Sequence, residues 1–233
     1  MKHYETLLLT FYLLFSVTGS FAQTLEDDRL ALKAISEKMG SWAWDNSYPD
    51  RPWQFPGVPG DNPCGWNGIT CENGRVTELI LATVYLSGVI PPEIGNLTAL
   101  KSLVLVSGGP DLSEISLGQV YGPIPNEIGN LINLERLELS RNSFSGSIPA
   151  SIGNLVKLKY LDIGQTFPSV YENPLSDPLP NELGNLVNLE YLNLEKHNLN
   201  GNIPTVLGNL TKLKHLDLSD NNFSGSFHPL LGI

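Results

Sequence analysis

The sequence predicts a right-handed α/β solenoid whose stacked coils form a parallel sheet on the concave side, with a helical cap at the N-terminal end. Three observations support this fold class: a Gly-Asn-Leu tripeptide that occurs five times, a Leu-x-Leu pattern that returns about every 24 residues, and a content of 22 Gly and 17 Pro among 233 residues. Glycine and proline at this frequency enforce many turns. A short coil cannot bury its own leucines alone, so the core must come from stacking.

The repeat unit is 24 residues long, and two units are longer. The Leu-x-Leu patterns are spaced by 24, 34, 24, 31 and 24 residues, so two coils carry 10 and 7 extra residues. These insertions fall near 107–121 and 166–176. In each pattern the leucines should point into the core while alternate residues face outward. The six patterns open at Leu79, Leu103, Leu137, Leu161, Leu192 and Leu216.

The turns of each coil also have recurring residues. Asn142 and Asn221 occupy the same position in two different coils, and both are expected to bond buried backbone groups. Gly146 should adopt a conformation closed to other residues, and Pro149 should begin the return of the chain. The glycine of each Gly-Asn-Leu tripeptide is assigned to the bend that closes the return. The internal ladder of Asn side chains is expected to be incomplete, because other residues replace the Asn in three coils: Val84, Thr166 and His197.

The combined pattern LxxLxLxxNxLxGxIPxxLGxLxx resembles the plant-specific class of the leucine-rich repeat family. By resemblance, such modules serve as ectodomains of receptor-like kinases and receptor-like proteins, or as free proteins of defence and development. The predicted domain order is a signal peptide at 1–22, an N-terminal cap at 23–75 and six repeats at 76–233.

The N-terminus has the features of a secretory signal. An apolar run, Leu7 to Val17, is too short to span a bilayer and is followed by small residues up to Ala22. The alternative is a buried N-terminal helix. The signal predicts a secreted protein of the cell wall or cell surface, with no direct insertion into the membrane.

The cap is predicted to contain a helix from Asp27 to Gly40, and its apolar residues at helical spacing are Leu30, Ala31, Ala34, Ile35 and Met39. The segment 62–71 resembles the cap motif of extracellular leucine-rich repeat proteins, in its Cys spacing and its Trp-x-Gly-Ile-x-Cys ending. Cys64 and Cys71 are the two cysteines of the chain, and in a secreted protein they are expected to form a disulfide. Without a nearby His they do not complete a metal site.

Composition excludes several classes of function. A net charge of −10 disfavours nucleic acid and anionic membranes. The sequence has no phosphate-binding loop, nucleophile elbow or His-Glu-x-x-His motif. His215 and Asp217 should emerge on one strand face, yet no third partner is evident for catalysis or metal binding. We therefore predict no catalytic residue, no metal and no cofactor.

The outward residues of the sheet form the predicted binding surface. Arg and Tyr are the residue types most often found as interface anchors. The alternative is a solvated sheet face. The two insertions, two coils apart, should lie on one rim and form a second candidate surface, with tolerated decoration as the alternative. The predicted contact residues are Arg136, Glu138, Tyr160, Asp162, Tyr191, Asn193, His215 and Asp217.

These observations predict a secreted, non-catalytic module that binds a protein or peptide, with a receptor kinase and a secreted hydrolase as candidate partners. Three alternatives stay open: an inhibitor of wall-degrading hydrolases like the polygalacturonase-inhibiting proteins, a truncated receptor-like kinase ectodomain, and a bacterial surface adhesion protein. Candidate glycosylation sites, each the Asn of an Asn-x-Ser/Thr sequon, are Asn96, Asn209 and Asn222.

Overall fold

The computed structural model describes residues 23–39, 62–84, 86–107, 119–165 and 174–225. The predicted signal peptide and most of both insertions lie outside the described residues. One α-helix, α1, covers Leu25–Lys38. The strands are β1 Ile69–Glu72, β2 Arg75–Val84, β3 Ser102–Ser107, β4 Tyr121–Gly122, β5 Arg136–Glu138, β6 Ser143–Phe144, β7 Tyr160–Asp162, β8 Tyr191–Asn193, β9 Asn200–Asn202, β10 His215–Asp217 and β11 Asn222–Ser224.

The principal sheet has seven strands in the order β1-β2-β3-β5-β7-β8-β10. The β1–β2 pair is antiparallel, and every later pair is parallel. From β2 to β10, the strands of this sheet have the same order in the sheet as in the sequence. Each coil therefore adds one strand next to the strand of the preceding coil. The register aligns the first leucines of all six patterns: Leu79, Leu103, Leu137, Leu161, Leu192 and Leu216. The solenoid predicted from the repeat is therefore confirmed.

The return path of each coil contains a short 3₁₀ helix: Pro92–Asn96, Asn126–Asn130, Ala150–Asn154, Asn181–Asn185 and Thr205–Asn209. Between the sheet and these helices, short parallel pairs β4–β6 and β9–β11 join neighbouring coils. The leucines and isoleucines between the two sides are buried, and Leu137 and Leu161 are fully inaccessible. Stacked coils thus share one continuous apolar core.

The glycine of the Gly-Asn-Leu tripeptide is needed for close packing, and its assignment to the bend is wrong. Gly95, Gly129 and Gly153 do not have positive φ. A Cβ added to Gly129 would lie 2.4 Å from the Ser151 carbonyl oxygen of the next coil. Gly95 and Gly153 would meet the next coil at 2.6 and 2.5 Å. Gly146, in contrast, has φ 78°, which confirms the conformational prediction for that turn.

The cap helix differs from its prediction in where it begins and in its buried face. Thr24 caps α1 and forms a capping box with Asp27, so the helix begins at Leu25. Leu30 is 51% exposed, and Leu32 packs into the core in its place. The helix ends at Lys38, and Met39, Ala31 and Ile35 are buried as predicted.

An ion pair attaches the cap helix to the first coil, and a disulfide closes a loop within the cap. The fully buried Asp28 carboxylate accepts two hydrogen bonds from Arg75, at 2.9 Å from Nε and 2.8 Å from Nη2, and one from the Val76 amide at 2.8 Å. Cys64 and Cys71 form the expected disulfide, which joins a 3₁₀ turn to β1. The Asp28 partner was not predicted from the sequence.

Candidate ligand-binding surface

Four outward side chains of the concave sheet form a continuous stack, which we call the aromatic column: Arg136, Tyr160, Tyr191 and His215. The Cζ atom of Arg136 lies 3.9 Å from the centroid of the Tyr160 ring. The Tyr160 and Tyr191 centroids are 4.4 Å apart with 8° between ring planes, and those of Tyr191 and His215 are 4.3 Å apart with 7°. Stacking follows from the register, because parallel in-register strands lie about 4.8 Å apart.

A second column lies beside the first, two residues further along each strand: Glu138, Asp162, Asn193 and Asp217. Its three short side chains end their strands in the same way. Asp162 Oδ1 accepts from the Gly164 amide at 3.0 Å, Asn193 Oδ1 from the Glu195 amide at 3.0 Å, and Asp217 Oδ1 from the Ser219 amide at 2.9 Å. Glu138 forms an ion pair with Arg136.

This amide-binding function of the second column was missed in the sequence. The signal was available, because an Asp or Asn recurs at one position of successive coils and such side chains bond the backbone two residues onward. Each of these residues therefore has a structural task besides the predicted contact with a ligand.

Negative charge is concentrated around the tyrosine hydroxyls. Burial raises the pKa of Tyr160, and the charges of Asp162 and Glu138 raise it further. The Tyr160 hydroxyl donates to Asp162 Oδ2 at 3.3 Å. Burial also raises the pKa of Asp162, an effect that the Gly164 amide opposes and that the charges of Glu138 and Glu195 reinforce. The face is thus acidic between the two columns.

The outward apolar side chains of β2 and β3 differ in exposure. Ile80 is 41% exposed on β2, but the outward valines of β3, Val104 and Val106, are only 6% and 8% exposed. The accessible part of the face therefore lies mainly on β5, β7, β8 and β10, although the predicted contact residue Asp162 on β7 is itself only 8% exposed.

The two insertions follow strands β3 and β7, which are separated in the sheet by one strand, β5. Ser107 and Gln165, the last described residues before the insertions, are buried. At the equivalent position of the uninterrupted coils, Arg141, Lys196 and Asp220 have positive φ and are not buried. The insertion-bearing coils therefore take a different path at this turn. A binding function of the insertions stays a prediction.

A further regular feature was missed in the sequence. The residue before each strand of the principal sheet from β3 onward alternates in charge: Lys101, Glu135, Lys159, Glu190 and Lys214. Lys101 pairs with Glu72 of β1, Lys159 Nζ lies 2.5 Å from Glu135 Oε2, and Lys214 Nζ lies 2.6 Å from Glu190 Oε2. The Lys159 ammonium lowers the pKa of Glu135, and Lys214 lowers that of Glu190. Three ion pairs thus link neighbouring elements along this row of alternating charges.

The remaining predicted sites are readily placed. Within the described ranges, no cluster of three His, Cys, Asp or Glu side chains could hold a metal ion. No helix in the same ranges has the length and apolar character of a membrane span. Asn96, Asn209 and Asn222 are exposed, and their glycosylation stays a prediction.

Comparison with known proteins agrees with the geometry. A family profile described as "Leucine-rich repeat region" matches residues 93–227, more than half of the chain. The chain belongs to the leucine-rich repeat family, and its relatives are plant receptor-like proteins. It is 42% identical over 85 residues, 36% of this chain, to the leucine-rich repeat receptor-like serine/threonine-protein kinase RGI4 of Arabidopsis thaliana.

Solved ectodomains of plant receptor kinases share the fold. The GASSHO1/SCHENGEN3 ectodomain of Arabidopsis thaliana, in complex with CASPARIAN STRIP INTEGRITY FACTOR 2, superposes with a TM-score of 0.70 at 33% identity over 87% of this chain. The Arabidopsis receptor kinase HAESA, in complex with the peptide hormone IDA and the co-receptor SERK1, gives 0.67 at 31% identity over 85%. The chain spans 7% of RGI4 and 22% and 30% of the two structural neighbours.

Proposed function

We propose that this chain is a non-catalytic, extracellular binding module that recognises a peptide or protein partner through its concave face, in signalling or defence. The observation that carries the proposal is the aromatic column together with the second column, which contains three acidic residues and lies beside it. Tyr, Arg and His side chains held in one rigid stack form a preorganised surface, and preorganisation reduces the cost of ordering on binding. Two similar ectodomains are seen in complex with a named peptide or factor, which supports the proposal.

The test first selects peptides that bind the chain and then measures their affinity after the two tyrosines of the aromatic column are replaced. The chain is immobilised, a displayed library of random twelve-residue peptides is panned against it, and enriched peptides are titrated by fluorescence anisotropy. In the double variant Tyr160→Ala/Tyr191→Ala, we expect affinity to fall by about a hundredfold, because two central aromatic anchors each contribute about 1–2 kcal/mol or more.

The matched control removes two exposed side chains from the turns that lead into the same two strands, outside the sheet. Val156 and Val187 are each 48% exposed, and each precedes the strand that carries one of the tyrosines. The double variant Val156→Ala/Val187→Ala should bind as the wild type does. Equal loss in both double variants, or no loss in either, would contradict recognition by the concave face.

The inhibitor alternative makes a different prediction with the same variants. An inhibitor would slow a purified polygalacturonase in proportion to its concentration, and the tyrosine variant would lose that effect. The relatives named above are plant proteins, which favours the plant alternatives over a bacterial surface protein.

A further inference from the structure

We propose that the concave face selects a cationic peptide segment, in which a Lys or Arg side chain lies over Asn193 among the carboxylates of Asp162, Glu195 and Asp217. This inference rests on the proposed function and specifies the chemistry of the partner. It follows from the charges that the described strands place on this face and from a contact within the column itself.

The three carboxylates surround one position of the sheet. Asp162 and Asp217 lie in register on either side of Asn193, on β7 and β10, and Glu195 follows Asn193 by two residues on the same face. All three charges act on the Tyr191 hydroxyl: together with burial, they raise the pKa of Tyr191. Asn193 itself is uncharged, so the three carboxylates surround a neutral side chain.

Few cations among the described residues offset this charge. Arg136 is engaged with Glu138 and the Tyr160 ring at the far end of the column. Lys196 Nζ lies 3.7 Å from Glu195 Oε1, and its side chain is 43% exposed. His215 stacks on Tyr191. Hydrogen bonds from Ser219 hold the pKa of Asp217 below its ordinary value, which favours the charged carboxylate. These cations offset the three carboxylates only in part, so a cation supplied by a partner would enter a field that stays negative.

The chain contains a template for such recognition. At the other end of the same column, the Arg136 guanidinium lies 3.9 Å above the Tyr160 ring while a second-column carboxylate, Glu138, pairs with it. A cation, an aromatic ring and a second-column acid thus fit together on this sheet. Around Asn193 the second-column acids are present beside Tyr191, with no guanidinium among the described residues. Both faces of the Tyr191 ring are covered by Tyr160 and His215, so a partner cation here would pair with the acids and contact only the edge of the ring.

An extended peptide is the form of partner that fits the dimensions. The steps of the column are 3.9, 4.4 and 4.3 Å, a combined length matched by about four residues of extended chain at about 3.3 Å each. A segment lying across the strands could place one basic side chain at Asn193 and rest its backbone against the ring edges of the column.

The charge can be removed without disturbing the strand ends, because Asn193 shows that an Asn at this position accepts the same amide hydrogen bond. The test variant is Asp162→Asn/Asp217→Asn. The matched control is Glu93→Gln/Glu182→Gln, which removes two exposed acids from 3₁₀ helices outside the sheet and changes the net charge equally.

The probes are nine-residue peptides with a fixed central Arg and random flanking residues, selected for binding to the wild-type chain. Each selected peptide is then synthesised again with citrulline or Glu in place of the central Arg. Anisotropy at low ionic strength should show that citrulline lowers affinity about tenfold and Glu lowers it further. The Asp-to-Asn variant should bind the Arg peptides about tenfold more weakly and the citrulline peptides unchanged. The control variant should match the wild type.

The outcomes separate the two proposals. If citrulline peptides bind as tightly as Arg peptides, or if the Asp-to-Asn variant keeps its affinity, the cationic partner is excluded while binding to the tyrosine column stands. If no Arg peptide binds while random twelve-residue peptides still bind through the tyrosine column, the cationic partner alone is excluded. If no selected peptide loses affinity in Tyr160→Ala/Tyr191→Ala, both proposals are overturned.

Discussion

At the residue scale, His197 shows how a departure from the repeat is accommodated. Asn142 Nδ2 donates to the carbonyl oxygens of Leu105 and Leu139 at 2.7 and 3.0 Å, and Asn221 makes equivalent bonds in the last described coil. His197 stands at the same position, and its Nε2 lies 3.0 Å from the Ile163 carbonyl oxygen. The ladder therefore continues through His197, where the sequence predicted a gap, although its Nδ1 has no partner in the described part of the chain.

Replacing this histidine should stabilise the chain and reduce its sensitivity to acid. Burial lowers the pKa of His197 from its ordinary value of 6.5, against the effect of the Ile163 carbonyl. The folded state thus favours the neutral ring, so its stability contribution is present above pH 6.5 and is lost as pH falls through the lowered pKa. His197→Asn should raise the free energy of unfolding by about 0.5–2 kcal/mol and lessen its decrease between pH 7.5 and 5.5. Urea unfolding of both proteins at these pH values measures this, and an unchanged pH difference would contradict it.

At the scale of the elements, the 3₁₀ helices determine how closely coils approach. The sequence predicted the period, the strands and the position of each return, because these follow from spacing alone. It did not predict why glycine recurs in the tripeptide, since that reason lies in the neighbouring coil and becomes visible only when Gly129 faces the Ser151 carbonyl oxygen. Burial of Leu32 rather than Leu30, in contrast, follows from the helical period, because Leu32 shares one face with Ala31 and Ile35 and Leu30 does not.

A methyl group at this helix contact should separate two coils. Gly129→Ala would place a Cβ 2.4 Å from backbone that cannot move without shifting the next coil. We expect a loss of about 2–4 kcal/mol in the free energy of unfolding. Asn130→Ala, at the adjacent exposed position, should change it by less than about 0.5 kcal/mol. Thermal and urea unfolding followed by circular dichroism would test this, and equal stability of the two variants would show that the contact is not tight.

At the scale of the whole molecule, one register connects the core to the surface. The alignment that stacks Leu137 on Leu161 also stacks Tyr160 on Tyr191. The sequence therefore predicted which side chains share a face. It did not predict that Asp162 and Asp217 bond strand-end amides or that Val104 is covered, because these depend on local hydrogen bonds and neighbouring side chains.

We propose that the shared register makes the aromatic column one binding unit, and a double-mutant cycle can measure this coupling. Affinities of one selected peptide would be measured for the wild type, Tyr160→Ala, Tyr191→Ala and the double variant, with unfolding curves confirming that all four are folded. Because the two rings contact each other, we predict a coupling energy between about 0.5 and 3 kcal/mol. Additive losses within about 0.3 kcal/mol would contradict a single stacked unit.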